Sequence, residues 1–193
     1  MKCPIPIAGL CLLLQLHSSA QTTEAKLIGT RSLLSSADME ELGAFDTLWY
    51  WHDGTEAYVD TTVVLSDTVW MSILSVGDSI GICSYVYLMS YDKQAHRALR
   101  LMEMYPDCNG DQGMENRYSQ HKLVGDGTID IAELVIGPEF EVNGVVDQAP
   151  PVLTTLRRIT IAADGSFRDT GYLELEKWIG PMYTAGEVSE WGW

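Results

Sequence analysis

From Ile80 to Tyr91 the side chains separate at period two. Ile80, Ile82, Val86 and Leu88 fall on one side, and Cys83, Tyr85, Tyr87, Met89 and Tyr91 on the other. Alternation of β-branched and aromatic residues predicts a strand. Because both sides are apolar, the strand is expected inside a sheet that is covered on both faces. After a turn at Asp92-Lys93-Gln94-Ala95, His96–Met104 is ambiguous, since Ala, Leu, Arg, Met and Glu also favour helices. A short turn out of a central strand leads most directly into an antiparallel partner, so a strand is predicted here too.

The same signature recurs along the chain. Tyr58–Leu65 and Val69–Val76 flank Ser66-Asp67, and Thr128–Ile136 ends at Gly137-Pro138. Asn143-Gly144 sits between Phe140–Val142 and Val145-Val146, a strong hairpin signal, and His52-Asp53-Gly54 after Leu48–Trp51 is another. Leu153–Ala162 and Phe167–Trp178 flank Asp164-Gly165. There Ile159, Ile161, Phe167, Leu173 and Leu175 alternate with Arg158, Thr160, Arg168, Tyr172 and Glu174, which predicts a half-buried pair. Ser35, with Asp38 three residues on, forms a capping-box signature for one short helix closing at Gly43, the only clear helix. Gln21–Leu34 is expected to be a mobile lead-in that ends in an edge strand at Lys26–Ile28. The prediction is an all-β protein, an antiparallel β-sandwich or partly open barrel, with one domain over residues 35–193 and a Gly/Trp-rich C-terminal tail.

The N-terminus changes the expected compartment. Lys2, an apolar run from Ile5 to Leu16, and small residues at Ser18 and Ala20 predict a signal peptide over residues 1–20, cut after Ala20. The run is too short to span a bilayer as a helix. Leu10 before Cys11 argues against a lipid anchor, so a secreted or periplasmic protein without membrane insertion is expected. A formal net charge of −15, with no clustered Lys/Arg footprint, argues against nucleic acid or anionic lipid as a partner. Cleavage removes Cys3 and Cys11. In an oxidising compartment the remaining Cys83 and Cys108 are expected to pair, stabilising the fold by roughly 3–4 kcal/mol on a chain-entropy estimate.

Candidate chemistry is sparse. Asp107, Asn109 and Asp111 place oxygens at alternate positions, as in the first half of an EF-hand loop. The sixth-position glycine is missing, however, and Tyr118 stands where a bidentate Glu belongs. In Asp126–Glu133 the match is to the second half, but Lys122 and Val124 occupy ligand positions. Solvated acids in a turn and a strand are the expected reading. Any calcium would bind at Asp107, Asn109 and Asp111, and no other cofactor is implied. His52, His96 and His121 lack metal spacing and are expected at the surface. No nucleophile elbow and no phosphate-binding glycine loop is present.

Glu139/Glu141 and Glu174/Glu176 could each share a strand face, the minimum for a carboxylate-pair glycosidase. Tyr85, Tyr87 and Tyr91 form an aromatic row that either stacks on a ligand or packs a sheet core. Trp191 and Trp193, at a terminus, need a docked tail or a partner to be covered. The function expected is an exported acidic β-domain serving as a non-catalytic binding or accessory module for an extracellular or cell-envelope protein, peptide or glycan. The alternatives are a carbohydrate-active hydrolase and a calcium-stabilised structural domain.

Overall fold

The computed structural model describes residues 22–29, 31–44, 55–78, 83–108, 117–125, 127–137, 139–142 and 145–191. The expected signal peptide, the hairpin signal at 48–54, Asn109, Asp111 and Trp193 lie outside them. In chain order the elements are α1 (Thr23–Ile28), β1 (Ser32–Leu34), α2 (Ser36–Glu41), β2 (Thr55–Val64), β3 (Val69–Asp78), β4 (Cys83–Asp92) and β5 (Arg97–Cys108). These are followed by β6 (Arg117–Gly125), β7 (Thr128–Val135), β8 (Glu139–Val142), β9 (Val145–Gln148) and β10 (Val152–Ile161). The chain closes with β11 (Phe167–Asp169), β12 (Leu173–Glu174), a 3-10 turn (Leu175–Lys177) and α3 (Ala185–Ser189).

Two antiparallel sheets make the fold. The first runs β1-β2-β3-β4-β5; the second runs β11-β10-β7-β6, with β12 also paired to β10. The segments β8 and β9 form a separate two-stranded antiparallel ribbon with Val142 opposite Val145; the predicted turn residues Asn143 and Gly144 lie outside the described residues. Arg97–Met104 lies in a strand rather than a helix, with His96 still in the turn before it, and β4 sits between β3 and β5 as its two-sided apolar pattern requires.

Covering layers follow from the alternation. On the outer face of the first sheet Trp70, Leu74, Val76, Tyr87, Met89 and Tyr91 pack under Leu27, Leu34, Met39 and Leu42 from the N-terminal helices and β1. On its inner face Met71, Ile73, Val86, Leu88 and Met104 meet Ile129, Ile131, Ile159 and Ile161 of the second sheet. Those two inner faces interdigitate as in a sandwich core. The outer face of the second sheet buries Ala132, Leu134 and Leu156 under Trp178 and Val188 of the C-terminal segment.

The N-terminal segment is more ordered than its polar composition predicts. Thr22 caps α1 by accepting from the Ala25 N–H, and Leu27 is fully buried. The predicted edge strand at Lys26–Ile28 is therefore helix, and the strand begins at Ser32. The Lys26 ammonium donates to Asp38, the N3 residue of the α2 capping box, and Thr23 donates to Asp38 and Glu41, so the two helices are tied together. The C-terminal tail also departs from expectation. Thr184 and Glu187 form a second capping box that starts α3, so α2 is not the only helix.

A bulge in β5 joins the sheets at one edge. Val86 pairs with Tyr105 and Tyr87 with Glu103, so Met104 is the extra residue and its carbonyl is released from the ladder. Arg157 Nη1 donates to that carbonyl at 2.7 Å, and Arg157 is held in turn by Asp169 through a two-point ion pair. No helix among the described residues is long and apolar enough to cross a membrane.

Candidate functional site

The second sheet carries a row of charge where a core would be apolar. Lys122 on β6 is the register partner of Asp130 on β7, which is the partner of Arg158 on β10. Asp130 has no exposed surface. Arg158 donates to both of its oxygens, Nε to Oδ1 and Nη2 to Oδ2, each at 2.6 Å, the two-point geometry of a strong charge-assisted pair. Hydrogen bonding to Asp130 raises the Arg158 pKa further. The Tyr183 hydroxyl donates to Oδ2 at 2.6 Å. Burial and then that bond push the Tyr183 pKa up to about 12.

Aromatic rings from the C-terminal segment roof this row. The Arg158 guanidinium lies 5.0 Å from the Trp178 ring centre. Lys122 Nζ lies 6.0 Å from the Tyr183 ring and 5.8 Å from that of Trp191. Tyr183 and Trp191 meet edge to face, 4.7 Å apart at 89°. The sequence Gly180–Trp191 folds this way because Trp178 donates its indole N–H to the Pro181 carbonyl, turning the chain before the α3 capping box.

Beside this roof is a half-open pocket of about 520 Å³. It is lined by His121, Lys122 and Leu123 of β6, by Thr61 and Ile73 of the first sheet, and by Tyr183, Glu187, Glu190 and Trp191 of the tail. β6 is the outermost strand of its sheet, and side chains from both of its faces reach the lining. His121 is buried and hydrogen-bonded through Nδ1 to the Tyr105 hydroxyl at 2.6 Å. Burial lowers its pKa to about 4, so the imidazole is neutral at pH 7. The surface position expected for His121 is thus corrected: residue 121 alternates inward with Ile131, under β5. A pocket with convergent polar groups and a strongly shifted titratable residue is the default place to look for function.

The residues singled out from sequence are distributed differently. Tyr87 and Tyr91 are 2% and 1% exposed and fill the core beneath the N-terminal helices, so they cannot form an open stacking row, and packing accounts for them. Tyr85 is half-buried against the same cluster. Burial, with Glu103 and Tyr85 nearby, pushes the Tyr87 pKa up to about 12, and its hydroxyl has no hydrogen-bond partner. Trp191 is brought to the pocket.

The Cα atoms of Cys83 and Cys108 are directly opposed in the β4–β5 ladder. Asp107 pairs across the same ladder with Ser84, and Asn109 and Asp111 are not described. Among the described residues no group of three His, Cys, Asp or Glu is placed to hold a metal ion. Asp130, from the second calcium-like stretch, is committed to Arg158 and Tyr183.

The carboxylate pairs do not converge in a cleft. Glu139 and Glu141 are exposed on the β8–β9 ribbon. Glu174 ends β12 while Glu176 is in the 3-10 turn, so this pair shares no strand face as expected. Glu174 is ion-paired to Lys177 at 2.6 Å, and that hydrogen bond lowers its pKa. His121, Lys122, Asp130, Arg158 and Tyr183 were missed because their proximity depends on strand register and tail docking. The one available signal was Asp130 at an apolar position of an alternating strand.

Comparison with known proteins finds no family model, no curated protein and no solved structure that matches this chain.

Proposed function

We propose that the protein is an exported, non-catalytic binding module whose ligand seat is the pocket between β6 and the C-terminal segment, with Trp191 and Tyr183 as its aromatic wall. The observation that carries this reading is the anchoring of that wall. Tyr183 is fixed by a buried carboxylate, Trp191 is fixed edge-on to Tyr183, and Lys122 stands over both rings. Preorganised aromatic area beside mixed polar groups favours binding because little side-chain freedom is lost when a ligand arrives.

Catalysis is less well supported. Glu187 is held by the backbone N–H and hydroxyl of Thr184, which lower its pKa and suit it to capping rather than to acid catalysis. Export follows from the N-terminal pattern, and a Cys83–Cys108 disulfide is compatible with their opposed positions. Residues directly opposite in an antiparallel pair have Cα atoms about 4.5–5.5 Å apart, inside the span a disulfide bridges.

The test is a screen of the purified mature chain against glycan and peptide arrays, followed by Trp191→Ala. A hit that weakens about tenfold or more, as expected for losing a stacking and packing contact, supports the reading. Hits that bind the variant equally well, or are converted to products, contradict it.

A further inference from the structure

A second pocket, of about 350 Å³, is lined by Arg31, Tyr58, Asp60 and Ser75. Its relation to the first follows from register. Tyr58 pairs with Ser75 and Thr61 with Ile73, and the irregularity between Val59 and Thr61 makes Asp60 a bulge residue. Ile73 is an inner-face residue of the first sheet, so Ser75, two positions on, faces the same way. The Ser75 hydroxyl donates to Asp60, which places the bulged carboxylate on that face as well. Thr61 and Ile73 line the first pocket while Asp60 and Ser75 line the second. Neighbouring lining residues on β3 are therefore only about 6.6 Å apart along the strand.

We infer that the two pockets are one groove along the inner face of β2–β3, continuing past β6 to the tail, and that it holds an uncharged oligosaccharide chain. This rests on the binding reading above and extends it to a ligand class. Each end includes an aromatic ring, a carboxylate and a cation: Tyr58, Asp60 and Arg31 at one, and Trp191, Glu190 and Lys122 among the residues of the other. Sugar hydroxyls donate and accept at once, so such a pair can be satisfied by one polyol, while the C–H faces of the ring cover the aromatic side chain. Interspersed signs give neither end a field that selects a charged polymer, and the net charge of −15 repels polyanions.

Within the groove itself a peptide could not extend the sheet through β2. There β2 is paired on both sides, with β1 and β3, and offers no free edge. Two local features mark the Tyr58 end as built for contact. Arg31 has φ of +54°, a left-handed conformation that non-glycine residues seldom adopt, and its N–H donates to the Val59 carbonyl at 2.8 Å. Its exposed guanidinium has no hydrogen bond or ion pair among the described residues. Burial raises the Asp60 pKa against the lowering effects of Ser75 and Arg31.

Calorimetric titration with neutral glucose, N-acetylglucosamine and mannose oligomers, from disaccharide to hexasaccharide, tests the inference. At least one series is expected to bind with affinity rising with chain length. Asp60→Asn and Arg31→Ala should each weaken the longest oligomers about tenfold, the worth of a hydrogen bond to a charged group, and leave the disaccharide unchanged. Trp191→Ala should weaken every length, and unchanged melting temperatures of the variants exclude misfolding. Affinity independent of length, or of both Asp60 and Arg31, overturns the groove while leaving the Trp191 pocket standing. Trp191-dependent binding of peptides alone overturns the sugar assignment, and the absence of any Trp191-dependent ligand overturns both readings.

Discussion

The hydroxyl of Tyr183 reaches 2.6 Å from Oδ2 of Asp130, fifty-three residues earlier in the chain, and fastens the C-terminal segment to the second sheet. Asp130 would be costly to bury alone, and Arg158 makes its burial tolerable. The same carboxylate therefore organises the sheet face and the aromatic wall of the pocket, and a fault in it should be felt at both.

Replacing Asp130 with Ala leaves Arg158 without its partner in a partly buried position. Stability should fall by about 3 kcal/mol or more, as for other broken buried pairs. Tyr183→Phe removes one charge-assisted hydrogen bond and should cost about 1–3 kcal/mol. Denaturant midpoints measure both effects. Limited proteolysis should cut the tail beyond Lys177 faster in each variant than in the parent, and equal rates would mean that the hydrogen bond does not hold the tail.

His121 makes stability depend on pH in a predictable direction. Its folded-state pKa of about 4 lies below the ordinary value of 6.5 because of burial. As pH falls below 6.5 the unfolded chain takes up a proton that the folded chain refuses until about pH 4. The contribution is thus intact above pH 6.5 and shrinks by about 3 kcal/mol as pH approaches 4. Chemical denaturation across that window should show the slope, and His121→Gln should flatten it.

Asp38 acts in a lower window. Burial pulls its pKa upward, but hydrogen bonds from Lys26, Ser35 and Thr23 outweigh this and bring it to about 2, below the usual 3.8. A depressed carboxylate stabilises above its unfolded pKa, so its contribution should persist above pH 3.8 and disappear as pH drops toward 2. Acid unfolding followed by far-ultraviolet circular dichroism should lose this component in Asp38→Asn.

The opposed positions of Cys83 and Cys108 predict a cross-strand disulfide if, as proposed, the protein is exported. Non-reducing peptide mapping should recover the two cysteines in one linked fragment. Reduction, or the double Ser variant, should lower stability by about 3–4 kcal/mol. Two free thiols in protein isolated from an oxidising compartment would refute the pairing.

Period-two alternation carried most of the sheet architecture, because a strand apolar on both sides, such as β4, must be covered twice wherever it falls. It also placed the β4–β5 hairpin, where only the turn at Asp92 separates two runs. The layers above and below were hidden. Leu27 needs contact with Leu34 and Met39 before a polar-looking segment becomes a helix, and no local window contains that contact. The site was hidden for a related reason. Lys122, Asp130 and Arg158 form a row only once three strands adopt one register, and Trp191 gains a role only when Tyr183 docks. The aromatic row at Tyr87 and Tyr91 looked the same from sequence whether exposed or buried, and the covering helices decide in favour of packing.

The most direct test of the Trp191 pocket is to follow the assigned indole N–H resonance of Trp191 by ¹H–¹⁵N correlation NMR during titration with the best array ligand. That resonance, together with the backbone amides of His121 and Lys122, should shift saturably at the concentrations that give half-maximal binding by calorimetry. Saturable binding that leaves all three unmoved would contradict the pocket as the ligand seat.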